Sequence, residues 1–243
     1  MSEFRPHEVE WTPEKVARMW DYFASNPAYD DRYFSAHSGS AIVAHVLHDR
    51  SIELTKSRVL DFGCGRGDLL AALYSRGIPA QGLEFSEDSV AEVKRRFAGN
   101  PLFLDVGFAR KLPCALDAGS FDVVFLVEVV EHLLDEQLRP TLTEVRRLVR
   151  AGGVVVVTCP NGERLEAGCI QCPDCGGVFH RWQHVRSLTA ESIGALFGEY
   201  GFETRIATGV FWGLTPMARL RTRIRRPRQP LPKPHLLYVG VAR

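Results

Sequence analysis

The most constraining feature of the sequence is a short strand that runs into three glycines and then into a helix. Residues 58–62 have the composition of a buried strand, Gly63, Gly65 and Gly67 follow at alternate positions, and residues 68–76 are typical of a helix. Because glycine has no Cβ, such a turn brings backbone N–H groups and a helix N-terminus close to a bound ligand. This segment predicts a ligand-binding turn at the edge of a sheet.

Strand-like and helix-like segments alternate through most of the remaining chain. Strands are expected at 79–85, 102–106, 121–127 and 154–158, with helices between them, and at 202–208 and 236–242 as a final pair. This alternation predicts βαβ units and a parallel sheet. The expected fold is α/β, a doubly wound seven-stranded sheet with helices on both faces, mostly parallel and with an antiparallel last strand.

The chain has 243 residues, which suits one substantial domain rather than two. Residues 51–243 are expected to form that domain, preceded by a helical cap at 1–50. Residues 160–186 are rich in Cys, Gly, His and Pro and break the alternation, which indicates an insertion over the ligand-binding edge.

Charge and hydropathy limit the partners of the chain. A net charge of +1 gives no global field that would attract nucleic acid. A basic run at 219–228 is interpreted either as a solvated loop or as a contact with phosphates or anionic lipid headgroups. No apolar run of about 18 residues and no signal-like N-terminus are visible, so a cytoplasmic location is expected.

A second acidic position completes the pattern of the glycine turn. Asp61 stands at the end of the first expected strand and Glu84 at the end of the second. A carboxylate at the end of the second strand can accept hydrogen bonds from both hydroxyls of a ribose. A nicotinamide dehydrogenase is the alternative, but its fingerprint spaces the glycines Gly-x-Gly-x-x-Gly.

The segment Val59 to Gly67 resembles the first motif of the class I S-adenosylmethionine-dependent methyltransferases, which have a Rossmann-like fold. The resemblance continues through Gly82-Leu83-Glu84-Phe85-Ser86, Ser120 to Val124 and Gly152-Gly153. It implies S-adenosylmethionine as the methyl donor. The residues expected at that donor are Asp61, which orders the loop, Gly63, Cys64, Gly65 and Gly67 of the loop, Glu84 at the ribose, Phe85 beside the adenine, and Glu128.

Two positions depart from the family pattern. Phe108 stands where the family often has Asp, so a side-chain bond to the adenine is not expected there, and backbone groups of Phe108 and Ala109 are the candidates instead. Ala151 replaces the usual proline before the paired glycines, and no functional inference follows from it.

The segment Glu128-Val129-Val130-Glu131-His132 follows the fourth expected strand, at the edge where α/β proteins place ligands. Two carboxylates and an imidazole can form part of a divalent cation site. The alternative is that Glu131-His132 only starts a helix, with Glu131 favouring the helix dipole. His132 is the candidate general base if it does not bind a metal.

His184 strengthens the metal interpretation. Glu128, Glu131, His132 and a downstream His followed by Thr189 and a helix resemble the metal tetrad of the small-RNA 3′-terminal 2′-O-methyltransferases, and ubiquinone-biosynthesis O-methyltransferases are similar. The resemblance implies an active-site Mg²⁺ or Mn²⁺ held by these four residues, with Glu131 and His132 as the catalytic pair.

A separate cluster of cysteines lies in the expected insertion. Cys169, Cys172, Cys175 and His180 fall within twelve residues, a spacing compatible with tetrahedral zinc. A set of Cys172, Cys175, His180 and His184 is the alternative, and a reduced, metal-free loop is a third interpretation.

Three functions are compatible with these motifs. The first is O-methylation of a small molecule or glycan that chelates the metal. The second is methylation of the terminal 2′-hydroxyl of RNA, with the arginine run on phosphates, although no RNA-binding domain is recognisable. The third, a donor-binding subunit without activity, would leave the acceptor-side carboxylates unexplained. The oligomeric state does not follow from the sequence.

Overall fold

The computed structural model describes residues 4–49, 52–212 and 233–243. The basic run at 219–228 lies outside these residues, so its two interpretations stay predictions. Within the described residues, no helix has the length and apolar character needed to cross a membrane.

A seven-stranded sheet forms the centre of the molecule, as the alternation predicts. Its strands are β2 (Val59–Phe62), β3 (Ala80–Glu84), β4 (Phe103–Phe108), β5 (Phe121–Val127), β6 (Val149–Pro160), β9 (Phe202–Val210) and β10 (His235–Ala242). Their order is β4-β3-β2-β5-β6-β10-β9, and only β10 runs antiparallel to its neighbours β6 and β9. The order reverses at β2, which places the carboxyl ends of β2 and β5 beside each other.

Helices cover both faces of this sheet. They are α1 (Pro13–Ser25), α2 (Phe34–His48), α3 (Asp68–Tyr74), α4 (Glu87–Arg96), α5 (Asp135–Leu148) and α6 (Ala190–Glu199). Apolar residues of α2, α3 and α4 form one buried cluster with one sheet face, and residues of α5 and α6 form a second cluster with the other. The doubly wound α/β prediction is therefore confirmed.

Side chains just before the first residues of two helices cap them, and two element boundaries differ from those expected. Ser86 and Thr189 cap α4 and α6 by accepting the backbone N–H three residues on. Strand β6 begins at Val149, earlier than the expected Val154, because the paired glycines lie inside the strand. Helix α5, one of the helices expected between strands, begins at Asp135 and contains Pro140.

Residues 160–186 contain secondary structure that the sequence did not indicate. Strands β7 (Cys169–Gln171) and β8 (Gly177–His180) form an antiparallel hairpin. Strand β1 (His7–Glu8), from the segment expected to be only helical, pairs in parallel with β8. The insertion is thus joined to the N-terminal segment by a three-stranded sheet. The division into a cap of 1–50 and a domain of 51–243 stays a prediction.

Candidate active site

The glycine turn after β2 has the backbone conformation that its composition predicts. Gly63, Gly65 and Gly67 all have positive φ, at 77°, 50° and 82°. A Cβ at Gly63 would approach Val129 to 2.9 Å and one at Gly67 would approach Phe97 to 2.6 Å, whereas one at Gly65 would meet no described atom within 4 Å. Gly65 therefore lies on the open side of the turn, where a ligand can approach the backbone.

Glu84 connects the ends of β2 and β3. Its carboxylate accepts hydrogen bonds from the N–H groups of Gly65 at 2.7 Å, Phe85 at 2.8 Å and Ser86 at 3.2 Å. Burial raises the pKa of Glu84, and these three amides oppose that shift. The predicted ribose carboxylate thus lies against the glycine turn.

Asp61 is the most deeply buried charge near this turn. It is 2% exposed, and its Oδ2 atom has no hydrogen-bond partner among the described residues. Burial, followed by the charges of Glu84 and Asp68, raises its pKa to about 8. Because an unpaired buried carboxylate is costly, this position favours a cationic ligand group.

The residues expected around an adenine differ in their exposure and in their hydrogen bonds. Phe85 is partly buried, with its ring 5.6 Å from that of Phe62. Phe108 is 42% exposed at the end of the edge strand β4. The N–H of Ala109 donates to the carbonyl oxygen of Glu84 at 2.9 Å, so it is not available to an adenine as proposed from the sequence. Cys64 is buried, with its sulfur facing Gly82.

Glu128 stands at a strained turn where β5 ends. Its φ is +52°, a left-handed conformation that costs a non-glycine residue about 1–3 kcal/mol and is characteristic of functional sites. Thr158 on β6 holds it in place, since the Thr158 hydroxyl donates to Glu128 Oε1 at 2.9 Å. Burial raises the pKa of Glu128 to about 7.

Glu131 and His132 follow in the turn before α5. Glu131 is 1% exposed, and neither of its carboxyl oxygens has a hydrogen-bond partner in the described part of the chain. Burial and then the charge of Glu128 raise its pKa well above the usual value. Burial, followed by the charge of His184, lowers the pKa of His132 to about 3, so its imidazole is neutral near neutral pH. A neutral imidazole can accept a proton or bind a metal.

The insertion brings His184 to this pair. The ligand atoms of Glu131, His132 and His184 lie within 4.8 Å of one another. Glu163, which sequence reasoning missed, contacts His184 Nδ1 through its Oε2 atom at 2.5 Å. A carboxylate on one ring nitrogen orients the imidazole and directs the other nitrogen toward a metal. Three of the four predicted metal ligands are therefore brought together, and Glu128 is next to them through its interaction with Glu131.

A cap from α1 covers this group. The ring of Trp20 lies 4.7 Å from that of His132, and its indole N–H donates to Gln183 Oε1 at 3.0 Å. Gln183, fully buried and with φ +60°, donates in turn to the carbonyl oxygen of His132 at 2.9 Å. No motif indicated Trp20 or Gln183. Gln183 is distinguished in the structure by its positive φ, and a backbone angle cannot be read from the sequence.

The predicted zinc set of Cys169, Cys172, Cys175 and His180 is not assembled. Among the described residues, no three of these ligand atoms come within 4.8 Å of one another. The reason lies in His180, whose Nδ1 accepts the backbone N–H groups of Trp182 and His184 and whose Nε2 faces Glu163 at 3.4 Å. His180 therefore belongs to the active-site side of the insertion.

The sheet order, the glycine turn at its point of reversal and the acidic strand ends define the class I methyltransferase fold. One solved structure with this fold is Burkholderia thailandensis 1,6-didemethyltoxoflavin-N1-methyltransferase with bound 1,6-didemethyltoxoflavin and S-adenosylhomocysteine. It has a TM-score of 0.60 and 16% identity over 98% of this chain and 94% of its own.

Residues 60–157 match the family model described as a methyltransferase domain. A probable S-adenosylmethionine-dependent methyltransferase of Mycolicibacterium smegmatis is 32% identical over 64% of this chain and 55% of its own length. A ubiquinone biosynthesis O-methyltransferase of Sinorhizobium medicae is 30% identical over 64% and 63%. The chain is thus similar to S-adenosylmethionine-dependent methyltransferases in its fold and over residues 60–157, and it spans less than two thirds of the lengths of these two relatives.

Proposed function

We propose that this chain transfers a methyl group from S-adenosylmethionine to a hydroxyl oxygen of a small molecule or glycan, assisted by a divalent cation at Glu128, Glu131, His132 and His184. The observation that carries the proposal is the convergence of Glu131, His132 and His184, with both Glu131 oxygens buried and without a hydrogen-bond partner in the described part of the chain. Neither an apolar core nor a simple helix start needs such an arrangement.

The donor half of the proposal is supported by the glycine turn. S-adenosylmethionine carries an activated methyl group on a sulfonium and an ammonium in its methionine part. Asp61 supplies a buried carboxyl whose Oδ2 has no hydrogen-bond partner among the described residues, and Gly65 leaves one side of the turn open to a ligand. Glu84 is held at the strand end by three backbone amides, at the position proposed for the ribose.

The acceptor half is supported by the chemistry of its ligands. Carboxylate oxygens with neutral imidazoles suit Mg²⁺ or Mn²⁺. Such a cation lowers the pKa of a bound hydroxyl and makes it a better nucleophile. Glu163 would hold the ring of His184 in its orientation. Trp20, whose ring packs edge-on against His132, would limit the access of water to that ring. If His132 stays off the metal, it is the candidate acceptor of the hydroxyl proton, but a pKa of about 3 makes its ring a weak base near neutral pH.

The test is a methyl-transfer assay with labelled S-adenosylmethionine against separated pools of small molecules, glycans and RNA. With the acceptor pool identified, Glu131→Gln and His184→Ala should each lower turnover at least about a hundredfold, the scale for losing electrostatic stabilisation of a reacting oxygen. Affinity for S-adenosylhomocysteine should stay nearly unchanged. Chelation should imitate the substitutions, and added Mg²⁺ or Mn²⁺ should restore turnover.

Glu136→Gln is the matched control, because Glu136 is an exposed carboxyl in the first turn of α5. It should retain turnover. Activity that survives exhaustive chelation and His184→Ala would reject the cation and leave His132 as a simple general base. Labelling confined to RNA would replace the small-molecule acceptor with a ribose hydroxyl, and donor binding without transfer to any pool would favour a non-catalytic subunit.

A further inference from the structure

We infer that Cys172, Cys175 and His7 form a zinc site that fastens the N-terminal segment to the insertion. This ligand set differs from the one expected from spacing, because it takes its histidine from β1 and leaves out Cys169 and His180. It is independent of the proposed methyl transfer.

The two cysteines lie in a closed turn that joins β7 to β8. The N–H of Cys172 donates to the carbonyl oxygen of Gly177 at 2.8 Å, and the N–H of Gly176 donates to the carbonyl oxygen of Cys172 at 3.0 Å. The turn that these two bonds close carries both Cys172 and Cys175. Cysteine sulfurs are ligands that zinc prefers in structural sites.

His7 is brought to the same place by strand pairing. It is the register partner of Gly177, and its N–H donates to the carbonyl oxygen of Gly176 at 3.0 Å. Paired residues of neighbouring strands project to the same face of a sheet. Cys175 and His7 both border this glycine: a Cβ at Gly177 would lie 3.1 Å from Val9 Cγ2, 3.4 Å from Cys175 Sγ and 3.9 Å from His7 Nε2.

The imidazole of His7 is also oriented as a ligand. Its Nδ1 lies 3.2 Å from the carbonyl oxygen of Arg5, so an Nδ1–H tautomer donates there and leaves the lone pair on Nε2. Histidines that bind metals usually donate their other ring N–H to a carbonyl or a carboxylate in this way. Gly176 permits the arrangement, since a Cβ there would lie 2.5 Å from the Arg5 carbonyl oxygen.

The same sheet excludes the other two predicted ligands. Along β8, Gly177 and Phe179 share one face and Val178 and His180 share the other. Cys169 is the register partner of His180, so both project away from the turn that holds Cys172 and Cys175. Trp11 packs edge-on against Phe179, which keeps the N-terminal segment on the cysteine face.

Zinc binding would require a small closure. The three ligand atoms do not yet lie within 4.8 Å of one another, so His7 must move toward the sulfurs. Both residues of strand β1 are exposed, so a solvent water would take the fourth position. Because α1 follows β1 and carries Trp20 onto His132, the metal would fasten the cap of the candidate active site.

Metal titration of the untagged full chain with Co²⁺, followed by displacement with Zn²⁺, tests the site. A thiolate charge-transfer band that saturates at one Co²⁺ per chain is expected. Cys172→Ser and Cys175→Ser should abolish the band, and His7→Ala should weaken binding by about tenfold or more. Cys169→Ser is the matched control among cysteines and should bind normally. His48→Ala is the control for His7, because His48 is also exposed with its Nδ1 on a backbone carbonyl oxygen.

X-ray absorption of the zinc-loaded wild-type chain gives a readout that does not depend on a variant folding. Two sulfurs and an imidazole nitrogen are expected. Three sulfurs, loss of the band in Cys169→Ser, or full affinity in His7→Ala would each overturn the ligand set. Zinc should also slow proteolysis before Pro13 in the wild type but not in His7→Ala. Because the band reports thiolates, Glu131→Gln should leave it intact, which separates this site from the proposed active-site cation.

Discussion

Donor affinity should depend on pH through Asp61. This carboxyl is 2% exposed, its Oδ2 lacks a partner in the described structure, and burial with the nearby charges of Glu84 and Asp68 raises its pKa to about 8. Below pH 8 it holds a proton, so a cationic donor that needs the carboxylate must first displace that proton. Its affinity should therefore rise with pH and level off above about 8.

The size of the effect follows from the pKa. At pH 6, two units below it, ionising Asp61 costs about 2.7 kcal/mol, which corresponds to about a hundredfold weaker binding than above pH 8. The stability of the free protein depends on pH in the opposite direction to donor affinity. Because the folded pKa lies above the unfolded value of 3.8, the contribution of Asp61 to stability is complete below about pH 4 and is lost as pH rises through 8.

Calorimetric titration with S-adenosylhomocysteine at pH 6, 7 and 8 measures this dependence, since that ligand keeps the ammonium group. The Asp61→Asn variant should bind S-adenosylhomocysteine weakly, with little dependence on pH. Its free energy of unfolding should also lack the decrease between pH 4 and 8 that Asp61 causes in the wild type. Asp105→Asn, on the exposed part of β4, should behave like the wild type. A wild-type affinity that changes less than about threefold from pH 6 to 8 would refute the role given to Asp61.

Two further predictions concern the turn and the insertion. In urea denaturation, Gly67→Ala should lower the free energy of unfolding by about 1–3 kcal/mol more than Gly99→Ala. Both glycines have positive φ, but of the two only Gly67 would place a Cβ 2.6 Å from Phe97. Equal losses in the two variants would contradict the steric argument. Glu163→Gln should weaken Mn²⁺ binding about 10–100-fold by releasing His184, with donor affinity unchanged; calorimetry showing unchanged Mn²⁺ affinity would remove Glu163 from this role.

The donor side of the molecule was largely predictable because its chemistry is local in the chain. A strand, a glycine turn and a helix follow one another within residues 58–76, and each is specified by its own neighbours. Glu84 could be placed as well, since the carboxyl ends of adjacent parallel strands meet at one edge. The caps at Ser86 and Thr189 follow from side chains that reach backbone groups three residues away.

The acceptor side and the insertion depended on tertiary structure. The sequence by itself determined the doubly wound fold, the donor turn and the presence of Glu131 and His132 at a strand end. Only packing decided that Glu163 fixes His184, that Trp20 covers His132, and that His7 lies opposite the cysteine turn. The hydrogen bonds of a helix cap or a tight turn are set by residues close in sequence. Side chains from α1, the turn after β5 and the insertion come together because these segments pack against one another. The spacing of residues in the sequence does not encode that packing.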